Sequence, residues 1–352
     1  MKVLVVDYKS IVDSEGKPYG HGKKVLMEAT AMCKKIGCKV IVAASDSYLE
    51  GVPENEIYML PYAIEVKKYG ISSYKEIMRN IHSALLKAKN MQSVIWFTNI
   101  DWFLLWYLGM HSAKCAKEII VTSYMPLNDM TEVFRKKRLI IKKLLKQIIK
   151  HGLKKISMVI QTYSMSEENE HMMYMPDYLY TKEYEQYLEL PRKDYMLCIG
   201  AMNSAKDIRG VIKAFSGLSQ KLIISGKFED CNEKDELVKL CTSNIRIMDE
   251  SLEYDAYCRL IAQSKAVILP YKRTEMHNTS GVMRECIYLN TPVIAPQWLL
   301  DNMGVNLKGY QKLEELRSWI LEKKETLPIQ VDLTLFSETT FIEKLKKYLE
   351  QY

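Results

Sequence analysis

The amino-acid sequence predicts two α/β domains, each built on a doubly wound parallel sheet. Strand-length apolar runs alternate with helix-length segments along the chain, which is typical of parallel sheets covered by helices. The length of 352 residues exceeds one ordinary core and suits two domains. A polar, tyrosine-rich stretch without periodicity, residues 178–192, separates the two halves. We therefore place one domain at residues 1–185, a second at 186–330 and a final helix at 331–352.

Strand-length apolar runs define the first half, which begins with a strand at residues 3–6. Helix-length segments between these runs predict helices at residues 25–36 and 73–88. Further strands are predicted at residues 39–44, 57–60, 94–98, 119–123 and 158–162.

The second half repeats this alternation after the tyrosine-rich stretch. Strands are predicted at residues 195–200, 221–225, 245–248, 266–269 and 293–295. Helices are predicted at residues 206–215, 234–241, 253–262 and 280–290.

The composition is that of a folded globular chain, with 48% apolar and 26% charged residues. Asp7 and Lys9 interrupt the apolar N-terminal strand, so we expect neither a secretory signal nor a membrane span there, and a cytoplasmic location. The eight cysteines show no C-x-x-C spacing, so we expect neither structural zinc nor a disulfide framework.

The most informative motif runs from the predicted strand at 266–269 through a loop into the predicted helix at 280–290. The first turn of a helix carries unpaired backbone N–H groups and the positive end of the helix dipole, which together bind phosphate. We expect the backbone at Thr279, Ser280, Gly281 and Val282 to hold a diphosphate there. Gly281 allows that backbone to approach the ligand closely.

This motif resembles the donor site of the GT-B glycosyltransferases, in the large retaining group with two acids separated by seven residues. In that group the second acid heads the phrase E-A-x-x-x-G-x-P-V-I-A, and residues 285–295 here are ECIYLNTPVIA. The position of the first acid is occupied by His277. The glycine three positions later is Ser280, followed by Gly281.

The resemblance implies two Rossmann-like domains that face an interdomain cleft. It further implies that the C-terminal helix, with Phe341, Leu345 and Tyr348 on one face, crosses back to the first domain; packing on the second domain alone is the alternative. A nucleoside-diphosphate sugar is the implied donor, with no cofactor and no metal, and the sugar is transferred with retention of configuration.

The motif assigns roles to two further side chains. Glu285, at the second-acid position, would accept hydrogen bonds from the ribose hydroxyls, because a carboxylate can bridge two vicinal donors. His277 would contact the sugar ring or, when protonated, the leaving phosphate. A lone histidine is otherwise often a structural group.

A second phosphate ligand is expected where the second half begins. Gly200 to Lys206 is similar to the family's strand-loop-helix phrase, in which a glycine is followed by an arginine and then a lysine. Lys206 matches the lysine, whereas Ala201 stands at the arginine position. Lys272 and Arg273 are the nearest substitutes in the sequence. A solvated basic loop is the alternative for these two.

Two features of the first half are candidates for the acceptor side. Gly20, His21 and Gly22 lie between the first strand and first helix, where GT-B proteins place a glycine-rich loop near the cleft; a tight turn with a helix cap is the alternative. Asp101 follows the strand at 94–98 and is a candidate acceptor base, or the cap of a helix beginning at Trp102.

Residues 135–155 contain ten lysines and arginines and no acid. Lys142, Lys146, Lys150 and Lys154 recur every fourth residue and form one stripe on a helix. Such an amphipathic basic helix suits the surface of an anionic bilayer; a solvated face of an ordinary helix is the alternative. Nucleic acid is not an expected partner, since no binding motif accompanies the stripe and the net charge of +7 is modest.

These features together predict a glycosyltransferase associated with the inner face of the membrane. It would move a hexose-type residue from a nucleoside-diphosphate sugar to a glycan or lipid-linked acceptor, in cell-surface polysaccharide or glycoconjugate synthesis. A sugar-nucleotide epimerase of the same architecture and a noncatalytic GT-B binding subunit are the alternatives.

Overall fold

The structure is a computed structural model, and it forms two compact units. The first comprises Met1–Thr162, Glu167–Met175 and Phe341–Tyr352, and the second comprises Tyr163–Ser166 and Pro176–Thr340. The residues that the structure describes are 1–19, 22–68, 73–111, 117–125, 127, 139–162, 168–176, 179–250, 252–272, 279–303, 305–322 and 328–352.

The first unit is built on a seven-stranded parallel sheet in the order β4-β3-β1-β6-β7-β8-β9, with a separate two-stranded pair, β2 and β5. Its strands are β1 Lys2–Val6, β2 Ile11–Val12, β3 Lys39–Ala44, β4 Ile57–Met59, β5 Ile64–Glu65, β6 Val94–Phe97, β7 Ile119–Ser123, β8 Met158–Gln161 and β9 Met172–Tyr174. Its helices are α1 Gly22–Lys35, α2 Asp46–Leu49, α3 Tyr74–Met91, α4 Trp102–Met110 and α5 Leu139–Leu153.

The centre of this sheet is buried on both faces. Val3 of β1 pairs with Val40 of β3 on one side and Val94 of β6 on the other. Apolar residues of α3, including Ile77 and Ile81, pack on the sheet without solvent exposure. A nearly continuous apolar strand such as β1 is what a parallel sheet covered on both faces requires.

The second unit is built on a five-stranded parallel sheet in the order β12-β11-β10-β13-β14. The chain order reverses beside β10, and open α/β sheets bind ligands beyond the carboxyl ends of their strands at such a point. The strands are β10 Tyr195–Ile199, β11 Lys221–Ser225, β12 Ile245–Met248, β13 Ala266–Ile268 and β14 Val293–Ile294. The helices are α6 Ile208–Phe215, α7 Cys231–Leu240, α8 Tyr254–Ala262, α9 Gly281–Tyr288, α10 Gln297–Asn302 and α11 Glu315–Leu321. The last helix, α12 Glu338–Leu349, begins in the second unit, and its residues 341–349 belong to the first unit.

The prediction of two doubly wound α/β domains is confirmed. Helix starts differ from the predicted ones where a side chain caps the helix. Asp207 accepts the Gly210 N–H at 2.8 Å, so α6 begins at Ile208 and leaves Lys206 in the preceding loop. Asp230 caps α7 in the same way, so α7 begins at Cys231, three residues before the predicted start.

The tyrosine-rich stretch belongs to the second unit. It contains a 3₁₀ helix, Lys182–Tyr187, that contacts α8 through the hydrogen bond between Tyr184 and Tyr254 at 2.6 Å. The Tyr187 hydroxyl donates to Asp255 of α8 at 3.0 Å. The main segment of the second unit runs from Pro176 to Thr340, whereas the sequence pattern places the second domain at residues 186–330.

In the part of the chain that the structure describes, every helix is too short or too polar to cross a bilayer.

Candidate functional site

A cavity of about 220 Å³ lies at the carboxyl edge of the second unit's sheet. Its walls come from the loops that follow β10 and β13 and from the first turns of α9 and α10. The lining residues are Ala201, Asn203, Ala205, Lys206, Tyr271, Thr279, Val282, Trp298 and Leu299.

Lys206 brings a buried positive charge to this cavity. The residue is 5% exposed, and its ammonium donates to the Ile199 carbonyl at 2.9 Å and lies 5.7 Å from the centre of the Tyr271 ring. Among the described residues it forms no ion pair. Burial lowers the pKa of this ammonium, since a charge removed from water is penalised. An anion bound in the cavity would compensate that charge.

The loop after β10 fixes the position of Lys206. Gly200 adopts a φ of +98°, a conformation that favours glycine, and a Cβ there would lie 3.3 Å from the Lys206 ammonium nitrogen. Lys206 pairs with Tyr271 across an antiparallel bridge, so the loops after β10 and β13 hold each other. Gly200 therefore acts by making room for the lysine and for the backbone turn.

Helix α9 enters the cavity wall with its first turn. Ser280 caps the helix, its Oγ accepting the Met283 N–H at 3.2 Å, and this oxygen also lies 3.2 Å from the Tyr271 hydroxyl. Because Ser280 is the cap, the helix begins at Gly281, one residue after the predicted start. Thr279 and Val282 line the cavity together with Lys206, as the phosphate-pocket prediction requires.

Glu285 lies one turn further along α9 and is 4% exposed. Its Oε2 accepts a hydrogen bond from the Tyr257 hydroxyl of α8 at 2.5 Å. The residues that line the 220 Å³ cavity include Val282, three positions earlier on the same helix, but not Glu285.

Of the two predicted substitutes for the missing arginine, only Lys272 lies within the described residues. The Lys272 ammonium donates to the Ser204 carbonyl at 2.8 Å, and the residue is not part of the cavity wall. That geometry fits the alternative of a loop lysine. Arg273 lies outside the described residues, and so does His277.

Trp298, Asn203 and Tyr271 line the cavity, although the motif gives them no role. Trp298 is half-buried and belongs to α10, which follows β14 directly. One sequence signal points to it: Trp298 comes shortly after the carboxyl end of a predicted strand, where ligands of open sheets bind.

In the first unit, Gly22 begins α1, while Gly20 and His21 lie outside the described residues. A Cβ at Gly22 would lie 2.7 Å from Oδ2 of Asp7 and 3.0 Å from the Tyr48 hydroxyl, so only glycine fits without a shift. Asp7 is buried and accepts the N–H groups of Lys9 and Ser10, and burial raises the pKa of its carboxyl.

Asp101 is the N-cap of α4. Its Oδ1 accepts the N–H groups of Phe103 and Leu104 at 3.1 and 2.9 Å, and its Oδ2 lies 2.9 Å from the Lys9 ammonium. This geometry is that of the cap alternative. A catalytic role of Asp101 as acceptor base stays a prediction.

The basic stripe falls on α5 and the residue after it. Lys150 is exposed, Lys146 is half-buried, and Lys154 is exposed one residue beyond the end of the helix. The side chain of Lys142 lies outside the described part. Leu144, on the same helix, is 57% exposed. An apolar side chain therefore lies in solvent beside the lysines.

Two glycines allow α5 to pack closely on α4. A side chain at Gly109 would collide with the Ile148 carbonyl oxygen, and one at Gly152 would collide with the Leu105 carbonyl oxygen. These contacts hold α5 against α4, and Lys143 and Lys150 of α5 are exposed.

In the described part of the chain, no three His, Cys, Asp or Glu side chains come together as a metal-ligand set. The seven cysteines that the structure describes are free thiols.

Comparisons with known proteins identify the fold. No protein-family model matches the chain, and no curated protein matches its sequence. Solved structures do match over the whole length. The Anabaena protein HepE in complex with UDP has a TM-score of 0.63 at 15% identity, covering 100% of both chains. Sucrose-phosphate synthase from Thermosynechococcus elongatus has a TM-score of 0.62 at 13% identity, covering 99% of this chain and 98% of that one.

The fold is that of the GT-B glycosyltransferases. A third similar structure is an α,α-trehalose-phosphate synthase (UDP-forming) from Burkholderia xenovorans in complex with glucose-6-phosphate. Its TM-score is 0.61 at 8% identity, covering 99% of this chain and 100% of that one. The Rossmann-like GT-B architecture that the donor motif implies is thus confirmed. The match of His277 to the first acid position stays a prediction.

Proposed function

We propose that this protein is a glycosyltransferase that uses a nucleoside-diphosphate sugar as donor. The observation that carries the proposal is the buried Lys206 ammonium, which faces a cavity at the sheet edge where open α/β sheets bind ligands. The GT-B fold supports it, because HepE, with the same fold, has been crystallised with UDP-glucose.

The cavity suits a diphosphate leaving group. Negative charge develops on the departing diphosphate as the bond from the anomeric carbon breaks. Lys206 and the backbone N–H groups at the start of α9 are fixed before the reaction, so they stabilise that charge without reorganising. Glu285, one turn further along the same helix, is the proposed ribose ligand.

Transfer with retention and without a metal is the finer form of this proposal, and it rests on the donor motif. The acceptor hydroxyl attacks from the face that the diphosphate leaves. Its oxygen bonds to the anomeric carbon as the carbon–phosphate oxygen bond breaks, and its proton passes to the leaving phosphate. The proposed product is a hexose-type linkage on a glycan or lipid-linked acceptor.

A membrane-bound acceptor is supported by α5. Lys146, Lys150 and Lys154 carry positive charge beside the exposed Leu144, which suits the inner face of an anionic bilayer. The protein would then act at the cytoplasmic membrane surface, on saccharides destined for the cell surface.

Thermal unfolding with a panel of nucleoside diphosphates and their sugar conjugates tests the donor site. A ligand at 100 times its dissociation constant stabilises by about 2.7 kcal/mol. We expect at least one diphosphate to raise the unfolding temperature, and Lys206→Met to abolish the rise. Lys272→Met is the matched control, because that lysine does not line the cavity. If the wild type responds to no member of the panel, the proposal is wrong.

Product analysis separates transfer from the two alternatives. A transferase releases nucleoside diphosphate and lengthens an acceptor. An epimerase changes the sugar while it stays on the nucleotide, and a noncatalytic subunit binds the donor without consuming it.

A further inference from the structure

Glu285 is a buried carboxylate whose position is set by a neighbouring helix. The side chain is 4% exposed on α9, and a carboxylate removed from water needs hydrogen-bond donors. Tyr257 of α8 supplies one, its hydroxyl lying 2.5 Å from Oε2 of Glu285. The hydrogen bond therefore links α8 to α9, the helix whose Val282 lines the cavity.

A group of aromatic side chains holds the Tyr257 phenol in place. Its ring stacks on Tyr254 with centroids 6.3 Å apart and an angle of 17° between the ring planes. The Tyr254 hydroxyl is hydrogen-bonded to Tyr184 at 2.6 Å, and the Tyr184 ring lies 5.1 Å from Tyr288 of α9. The phenol that contacts Glu285 is thus anchored to the 3₁₀ helix Lys182–Tyr187 and to α9 itself.

We infer that Tyr257 is a positioning residue for ribose recognition by Glu285. The inference rests on the proposed function and deepens it. A carboxylate bridges two vicinal hydroxyls only in a limited range of rotations about its terminal bond. By holding Oε2, the phenol restricts that rotation and orients the carboxylate before the nucleotide arrives, which reduces the ordering needed on binding.

The role predicts discrimination between ribose and deoxyribose. A site built to hydrogen-bond a hydroxyl disfavours the analogue that lacks it, because a buried polar group then loses its partner. Removing the Tyr257 hydroxyl would loosen the carboxylate and reduce that preference. If Tyr257 only stabilised the fold, removing its hydroxyl would instead weaken binding of the ribonucleotide and of the deoxyribonucleotide equally.

Titration calorimetry of the full chain tests the inference, with UDP, GDP and ADP each compared with its 2′-deoxy counterpart. For the nucleotide that the wild type binds best, we expect a preference of about tenfold or more for the ribonucleotide. In Tyr257→Phe, we expect this preference to fall about fivefold while the deoxynucleotide affinity stays within about twofold.

Tyr195→Phe is the matched control, because the Tyr195 hydroxyl donates to the Leu260 carbonyl of α8 at 2.8 Å rather than to Glu285. It should leave the preference unchanged. In a Glu285→Ala background, Tyr257→Phe should reduce the preference no further, since both act through one carboxylate. Glu285→Gln, which keeps the side-chain shape, should lower the preference even if Tyr257→Phe does not fold.

An unchanged preference in Tyr257→Phe, or an equal fall in Tyr195→Phe, would overturn the inference while leaving the donor site intact. Failure of the wild type to bind any of the ribonucleotides would overturn the proposed function and, with it, this inference.

Discussion

At the level of single residues, the proposed donor site depends on the buried charge of Lys206. A buried ammonium without an acidic partner among the described residues destabilises the protein until an anion binds. The proposed donor site, rather than stability, accounts for a lysine at this position. An apolar side chain of equal length would be buried at this position with a smaller free-energy penalty.

Lys206→Met should therefore raise the free energy of unfolding of the unliganded protein. We expect a gain of about 1 kcal/mol at pH 7, because the buried charge is replaced by a side chain of similar shape. Urea unfolding measures this directly. If Lys206→Met is markedly less stable than the wild type, the buried charge of Lys206 does not destabilise the unliganded protein.

The pH dependence of stability has a defined sign at this residue. Burial lowers the pKa of Lys206 in the folded state, so the unfolded chain binds more protons between that lowered pKa and the ordinary value of about 10.5. The wild type should therefore gain stability relative to Lys206→Met as the pH rises through this window. Urea unfolding of both proteins from pH 7 to pH 10.5 measures the difference between their free energies of unfolding. A difference that does not change with pH would refute the assignment of a buried, charged Lys206.

At the scale of helices and strands, the sequence pattern predicts most of the fold. The limits of β3, β7, β11 and β12 coincide with the predicted strands, because apolar runs bounded by polar residues mark a buried parallel strand. Helix α4 was predicted only through the alternative role of Asp101, as the cap of a helix beginning at Trp102, because its apolar sequence WFLLWYLGM lacks a helical period. Strand β9, Met172–Tyr174, is too short to show alternation.

The close contact between α4 and α5 depends on two glycines. Gly109→Ala and Gly152→Ala should each destabilise the protein by about 1–3 kcal/mol, because an added methyl group meets a carbonyl oxygen of the facing helix. Thermal unfolding checks this. Gln147→Ala, at an exposed position of α5, is the control and should have little effect. Equal stability of all three variants would mean that the helices are not in this contact.

The basic side of α5 predicts binding to anionic vesicles. Replacing Lys146, Lys150 and Lys154 by alanine removes about 1 kcal/mol per lysine, so affinity should fall roughly 100-fold in a sedimentation assay at low salt. Both the wild type and the α5 variant should bind only weakly to vesicles of neutral lipid.

The matched control replaces three exposed lysines of the second unit, Lys213, Lys221 and Lys239, which changes the net charge equally. If this control loses as much affinity as the α5 variant, total charge rather than the helix governs binding.

At the scale of the whole molecule, the fold is that of the GT-B glycosyltransferases, although the similar solved structures share only 8–15% of their residues with this chain. Sequence pattern located Lys206, Thr279 and Val282, because a strand-loop-helix phrase places them at a sheet edge. Trp298 has one sequence signal, its place shortly after the carboxyl end of a predicted strand. Tyr257 has none, because it reaches Glu285 through the packing of α8 on α9, which no local spacing encodes.

In the proposed donor site, a diphosphate binds the Lys206 ammonium beside the start of α9. The crystal structure of the protein with the nucleoside diphosphate that stabilises it most tests this binding directly. We expect a phosphate oxygen about 2.7–3.2 Å from Nζ of Lys206, with the N–H groups of Gly281 and Val282 directed at the same diphosphate. A diphosphate bound elsewhere, with Lys206 still bonded only to the Ile199 carbonyl and the cavity empty, would contradict it.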